Sequence, residues 1–416
     1  MYSDSDTRPG LAGLDASPAW NDRLGSAVLR RLLSNLAVGR LVVDLPGGGR
    51  IERDGPQSGP EARLILHRWR ALRRLVTSGD VGFAEGYVAG DWSSPDLATL
   101  VALVAANGLA IEAKIAGLAP LRLMNRLYHF ARRNSKAGSR RNISFHYDLG
   151  NEFYRLWLDP SMTYSSALYA QPDEDGGETL EEAQAAKLDR IVDLLQLSPG
   201  QHVLEIGCGW GALAARLAGS GARVTGLTLS QEQLVHARAL MQENGHDAAV
   251  DLRLQDYRDV EGQYDRIVSI EMLEAVGVDY WPVYFDTLRQ RLAPGGTAVL
   301  QVITIAEERF EGYRSQPDFI QRYIFPGGML PTKAIVAEEA ALAGLSLEKR
   351  EDFGTSYART LAEWRRRFVA AGAEVERLGF DPQFRRLWDY YLSYCEGGFR
   401  AGAIDVSLFV LRRPRI

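Results

Sequence analysis

The chain has 416 residues, of which 46% are hydrophobic and 24% charged, and a formal net charge of −5. That length points to two folded units with a substantial core, and the mild acidity removes any general reason to expect a nucleic-acid partner. Two cysteines, Cys208 and Cys395, make no disulfide framework and suit a reducing cytoplasm, and no metal site is expected.

Residues 1–20 are polar, lack the basic and apolar segments of a signal peptide, and read as disordered. Residues 21–120 read as a small mixed domain, with strands in Leu41–Pro46 and Ala62–His67 followed by helices. The most apolar long tract, Leu97–Leu118, is interrupted by Asn107, Gly108, Glu112 and Lys114, which argues against a bilayer-spanning helix. Any meeting with lipid would be from the side.

Residues 121–145 form a basic linker. Arg122, Arg126, Arg132, Arg133, Lys136, Arg140 and Arg141 stand there with no acidic residue among them. Two readings stand: a solvated hinge, or a contact with anionic headgroups contributing about 1 kcal/mol per basic residue near the surface.

From residue 146 to 416 the pattern alternates strand and helix, which predicts an α/β domain with a mainly parallel, Rossmann-like sheet. The strands are placed at His202–Ile206, Arg223–Leu227, Val250–Leu254, Arg266–Ile270, Thr297–Ile303, Leu345–Arg350 and Val406–Leu411. Helices are placed at Leu180–Leu195, Gln231–Gln242, Ala358–Ala371 and Gln383–Tyr394. Ile305–Pro331 is too long for a simple connection and rich in aromatics, so it reads as a cap over the C-terminal edge of the sheet, where open α/β sheets bind ligands.

The strongest local signal is Val203-Leu-Glu-Ile-Gly-Cys-Gly-Trp-Gly-Ala-Leu, an apolar strand ending in an acid and entering a glycine turn that opens a helix. Glycines let the backbone approach a ligand where a Cβ would clash, and the helix start presents free N–H groups. A dinucleotide site wants Gly-x-Gly-x-x-Gly near the start of a domain. Here the glycines alternate after a long preceding tract. Glu205, Gly207 and Gly209 therefore read as a nest for the methionine part of S-adenosylmethionine. The second strand ends without the acid that commonly holds a ribose; Thr228 and Gln233 can bond ribose hydroxyls instead, while Ser230 suits the cap of the next helix. Asp256 and Tyr257 follow the third strand, where an adenine's amino group and face would lie. After the fourth strand, Ser269-Ile-Glu-Met-Leu-Glu-Ala-Val-Gly puts two carboxylates three residues apart in an apolar stretch, which points to a catalytic or cofactor role rather than surface charge.

Five ordered segments carry a more specific resemblance: His146-Tyr-Asp-Leu-Gly-Asn-Glu-Phe-Tyr, Met162-Thr-Tyr-Ser-Ser-Ala, Leu204-Glu-Ile-Gly-Cys-Gly-Trp-Gly, Gly226-Leu-Thr-Leu-Ser, and Phe319-Ile-Gln-Arg-Tyr-Ile-Phe-Pro-Gly-Gly-Met-Leu-Pro. Together they resemble the cyclopropane-fatty-acyl-phospholipid synthase family, which includes the mycolic acid cyclopropane synthases. The match covers roughly residues 141–412, and Gly86-Tyr-Val-Ala-Gly-Asp-Trp is similar to a segment of the phospholipid-acting members.

The resemblance implies that Tyr147, Tyr164 and Ser165 close over the methionine end of S-adenosylmethionine, that Gly207 and Gly209 contact it from below, that Thr228 and Gln233 take the ribose, and that Asp256 and Tyr257 flank the adenine. It further implies a bicarbonate site beside the transferred methyl, at the positions of Ser166, Glu274, Gln301, Ile303 and Tyr357, with bicarbonate as the base. Ser166 stands where the family has cysteine, Gln301 where it has histidine, and Ala275 where a histidine usually follows the glutamate. These departures bear on the final deprotonation.

The reaction so implied is transfer of a methylene to the cis double bond of an unsaturated phospholipid acyl chain, forming a cyclopropane. Tyr164, Tyr323 and Tyr357 are expected to face the intermediate cation. The alternatives are a methyl- or methylene-branching enzyme sharing the first step, a small-molecule methyltransferase, and a non-catalytic lipid-binding protein. The expected setting is the cytoplasm, peripherally on the inner membrane face, with pairing into a homodimer left open.

Overall fold

The computed structural model of the chain describes residues 18–108, 149–172 and 177–415. The basic linker and Tyr147 lie outside the described residues. A helix occupies Pro18–Leu33, so ordered structure begins within the stretch expected to be disordered; proline is well suited to a first helical turn, where its missing N–H costs nothing.

The N-terminal unit is a four-stranded sheet, β1 (Val38–Asp44), β2 (Arg50–Asp54), β3 (Gln57–Leu66) and β4 (Trp92–Ser93), in the order β2-β1-β3-β4. The sequence pattern missed β2, because only Ile51 of its five residues is buried and no alternation is visible. The helix Arg70–Val88 is kinked at Gly79, whose φ of 61° lies in the left-handed region.

The second unit contains β5 (His202–Ile206), β6 (Arg223–Thr228), β7 (Val250–Leu254), β8 (Tyr264–Ile270), β9 (Leu292–Ile305), β10 (Ser346–Asp352) and β11 (Ile404–Arg412) in the order β10-β11-β9-β8-β5-β6-β7. Strands β7, β6, β5, β8 and β9 are parallel, and β11 and β10 are antiparallel additions. Val203–Ile206 are all buried, as expected for a strand covered on both faces. Thr179 forms a capping box with Glu182 and so starts the helix Leu180–Leu195 where the periodicity places it. Successive strands run outward from β5 to β7 and then resume on the other side at β8. That reversal puts a crevice at the C-terminal ends of β5 and β8.

The units are fastened together through the helix Pro382–Arg400. Tyr87 donates to Asp389 at 2.5 Å, Arg365 donates to the same carboxylate at 2.7 Å, and Arg386 donates to the Tyr87 carbonyl at 2.7 Å. A Cβ on Gly397 would sit 2.7 Å from Val101 Cβ, so this helix touches the helix Leu97–Ala106 of the N-terminal unit where it has no side chain. Asp389→Ala is expected to leave a part-buried phenol and a guanidinium unpaired and to cost about 1–3 kcal/mol of stability, read from the denaturant midpoint; an unchanged midpoint would mean the units hold together without this node.

Candidate functional site

One large cavity of about 890 Å³ runs from the glycine turn after β5, past the loop after β8, to the kinked helix of the N-terminal unit. The expected cap over it is present. It contains the helix Glu307–Ser315 and a π-helical turn Ile320–Ile324, and Arg309, Tyr313, Ile320, Gln321 and Phe325 line the cavity. Thr77–Val81 and Val104 line the far end, so both units shape the space.

At the near end Glu205, Gly207, Gly209, Thr228, Gln233 and Tyr257 all line the cavity. Gly207 and Gly209 have φ of 81° and 52°, values that L side chains rarely adopt. Nothing lies within 4 Å of where a Gly209 Cβ would stand, so the turn leaves room for a ligand there. Glu205 is buried with Oε2 unpartnered among the described residues, and loss of hydration pushes its carboxyl up to about 8. The Thr228 hydroxyl donates to Gln233 Oε1 at 2.8 Å, leaving the Gln233 amide hydrogens for another acceptor. Ser230 caps its helix by accepting from Gln233 N at 3.3 Å. An orphaned carboxylate oxygen, a glycine cradle, a Thr–Gln pair and an aromatic edge fit the parts of S-adenosylmethionine.

Asp256 departs from its expected role. Its carboxylate accepts from Arg258 N, Nε and Nη2 at 3.0, 2.8 and 2.6 Å, and it does not line the cavity. A neighbouring guanidinium two residues on takes the acid that was expected to meet adenine.

The middle of the cavity departs most from the expected arrangement. Glu271, at the end of β8, accepts from Ser166 N at 2.9 Å, from Gln301 Nε2 at 2.8 Å and from the Tyr357 hydroxyl at 2.7 Å. Ser166, Gln301 and Tyr357 thus converge as expected, but on a carboxylate belonging to the chain. Ser166 contributes its backbone N–H, since its hydroxyl donates to the Ala167 carbonyl. Ser166 and Gln301 stand behind Glu271, and neither lines the cavity, whereas Glu271 does. Glu271 also has φ of 52°. A glutamate held in a conformation natural to glycine is strained by about 1–3 kcal/mol, a cost met where surrounding structure imposes it.

Glu274 does not pair with Tyr357. It accepts from the backbone N–H of Ile303, its Oε2 is buried without a partner among the described residues, and burial pushes it up to about 8. Glu271 is likewise raised by burial, an effect that its three donors oppose. The three donors therefore do not present an open cradle for a separate bicarbonate, because Glu271 already fills it.

Aromatic faces surround the centre. Tyr164, Tyr357, Tyr391 and Phe399 line the cavity, Tyr164 and Tyr391 share a hydroxyl contact of 2.7 Å, and the Tyr357 and Phe399 rings lie 4.6 Å apart. Tyr323, expected among them, turns away: its hydroxyl donates to Glu85 of the N-terminal unit at 2.6 Å and it does not line the cavity.

Lys187 is a site residue that the motifs did not disclose. It is 1% exposed, lines the cavity, and donates to Ser165 Oγ at 2.7 Å. A lysine on the apolar stripe of Leu180, Ala183, Leu188 and Ile191 is the signal that could have found it.

The family model of mycolic acid cyclopropane synthetase matches residues 134–409. The chain is 39% identical over 99% of its length to tuberculostearic acid methyltransferase UfaA1 of Mycobacterium tuberculosis, covering 96% of that protein. It is 36% identical over 82% of its length to the cyclopropane-fatty-acyl-phospholipid synthase of Escherichia coli, covering 85% of that protein. Among solved structures, mycolic acid cyclopropane synthase CmaA1 complexed with SAH and CTAB aligns with a TM-score of 0.61 at 32% identity, over 66% of this chain and 98% of that one.

Proposed function

Because this chain belongs to the mycolic acid cyclopropane synthetase family, whose S-adenosylmethionine-dependent members modify lipid acyl chains, we propose that it methylates the cis double bond of an unsaturated phospholipid acyl chain and yields a methylene branch. The observation that carries this reading is Glu271, a carboxylate built into the chain on the donors that the family resemblance gives to bicarbonate. A relative that matches nearly the whole chain bears the name of a methyltransferase, tuberculostearic acid methyltransferase, and not of a cyclopropane synthase.

Bound S-adenosylmethionine supplies an electrophilic methyl group. An isolated alkene is a weak nucleophile, so holding it in line in a space closed to water supplies much of the rate. The new carbon–carbon bond forms as the methyl's bond to sulfur breaks, and positive charge appears on the adjacent chain carbon. Tyr164, Tyr357 and Tyr391 present electron-rich faces there. Three donors fix the Glu271 carboxylate in place on the cavity wall. A hydride moves from the methylated carbon to its neighbour, which carries the positive charge to the carbon bearing the new methyl. Glu271 then takes one proton from the methyl, leaving a methylene branch on the open chain, S-adenosylhomocysteine having been released when the methyl's bond to sulfur broke. A saturated methyl branch would require a hydride donor as a further reactant.

The test is incubation with labelled S-adenosylmethionine and vesicles of a cis-unsaturated phospholipid, followed by mass and proton NMR analysis of the acyl chains. The expected product shows olefinic methylene protons. Strongly upfield methylene protons at the same mass would establish the ring and overturn the branch.

A further inference from the structure

The helix Leu180–Leu195 buries two polar side chains on one face, Gln184 and Lys187, three residues apart. The Gln184 amide donates to the Ser165 carbonyl at 2.9 Å, and the Lys187 ammonium donates to the Ser165 hydroxyl at 2.7 Å. Gln184 already holds the segment from behind. Lys187 reaches further, into the cavity wall itself.

Across that wall stands Glu205, buried, with Oε2 unpartnered. Among the described residues Lys187 forms no ion pair with Glu205, although each feels the other's charge and burial works against both charges. A buried ammonium with hydrogens to spare and a buried carboxylate with a spare oxygen, facing one space beside a glycine turn, are complementary to a zwitterion. They do not satisfy each other. A desolvated charge without a direct partner is costly and is compensated when a ligand brings the opposite charge.

We propose that Lys187 and Glu205 together read the amino-acid end of the cofactor, Lys187 taking its α-carboxylate beside the Ser165 hydroxyl and Glu205 taking its α-ammonium. The inference rests on the methyltransferase reading and adds a ligand contact on a helix that precedes the glycine turn. That helix then has two roles, since Gln184 positions the segment carrying Tyr164 and Ser166, while Lys187 discriminates ligands that have a carboxylate from those that lack one.

The test measures dissociation constants by calorimetry for three ligands: S-adenosylhomocysteine, decarboxylated S-adenosylmethionine and methylthioadenosine. The proteins are the full chain and its Lys187→Gln, Lys187→Met and Glu205→Gln variants. Lys187→Gln keeps a donor toward Ser165 and removes the charge. It is expected to weaken S-adenosylhomocysteine by roughly tenfold to a hundredfold, the range for a lost charge-assisted bond, and to leave methylthioadenosine within about twofold. Glu205→Gln should weaken the decarboxylated ligand, which keeps the amine, and spare methylthioadenosine. Equal losses on all three ligands with a lowered melting temperature would overturn the proposal in favour of a purely structural lysine, as would no loss on any. If the Met variant fails to fold, the lysine ¹⁵Nζ resonance of the wild type decides: it should move on adding S-adenosylhomocysteine and stay on adding methylthioadenosine. Failure of the wild type to bind any of the three would sink the methyltransferase reading itself, a separate outcome.

Discussion

Glu271→Gln is expected to lower turnover by roughly 10²–10⁴-fold, the effect of losing an acid–base group, while cofactor affinity stays near that of the wild type. The amide keeps an oxygen for the Ser166 N–H and is nearly the same shape, but it cannot take a proton. Glu274→Gln is the control. Glu274 accepts from Ile303 N and its other oxygen is unpartnered, so its loss should lower thermal stability before it lowers turnover. The pH profile gives the sign. Glu271 must be ionised to accept the proton and burial raises it, so kcat should rise with pH along an acid limb lying above the ordinary carboxylate range, and lose that limb in the Gln variant. Wild-type turnover in Glu271→Gln, or a loss confined to Glu274→Gln, would return the catalytic role to the second carboxylate and with it the case for a bound base.

Gly209→Val is expected to reduce affinity for S-adenosylhomocysteine by roughly a hundredfold, since forcing atoms into a filled site costs about 1–3 kcal/mol. The folded chain should tolerate the change better than the same change at Gly207. A Cβ at 207 would meet Met272 Sδ at 2.3 Å, whereas one at 209 meets nothing within 4 Å and enters the cavity. The positive φ at both positions adds strain of its own. Calorimetry with a melting curve separates the two effects. Near-wild-type affinity in a folded Gly209→Val would mean that the turn is structural and the methionine part lies elsewhere.

Sequence alone determined the second unit's strand succession, the helix from Leu180 and the glycine turn, because each is written locally: runs of apolar residues, a helical periodicity and alternating glycines. The same local logic placed Glu205, Thr228, Gln233 and Tyr257 on one edge, since parallel strands deliver their C-terminal ends together. It located two carboxylates after β8, and the family resemblance gave the role to Glu274. Tertiary structure alone turned the three donors to Glu271 instead. Ser166, Gln301 and Tyr357 come from three separate segments, and which acid they meet depends on the direction of one side chain, set by a left-handed φ at Glu271. Asp256 failed its assignment for the reverse reason, a short-range pairing with Arg258 that residue type could not rank against a ligand. Lys187 was hidden because periodicity marks a helical face as buried without saying what the face is buried against. The share of the N-terminal unit in the cavity was likewise decided only by packing, where Asp389 holds the kinked helix through Tyr87 and Gly397 lets Val101 approach. Such contacts join residues hundreds of positions apart, and no pattern within a window of the chain carries them.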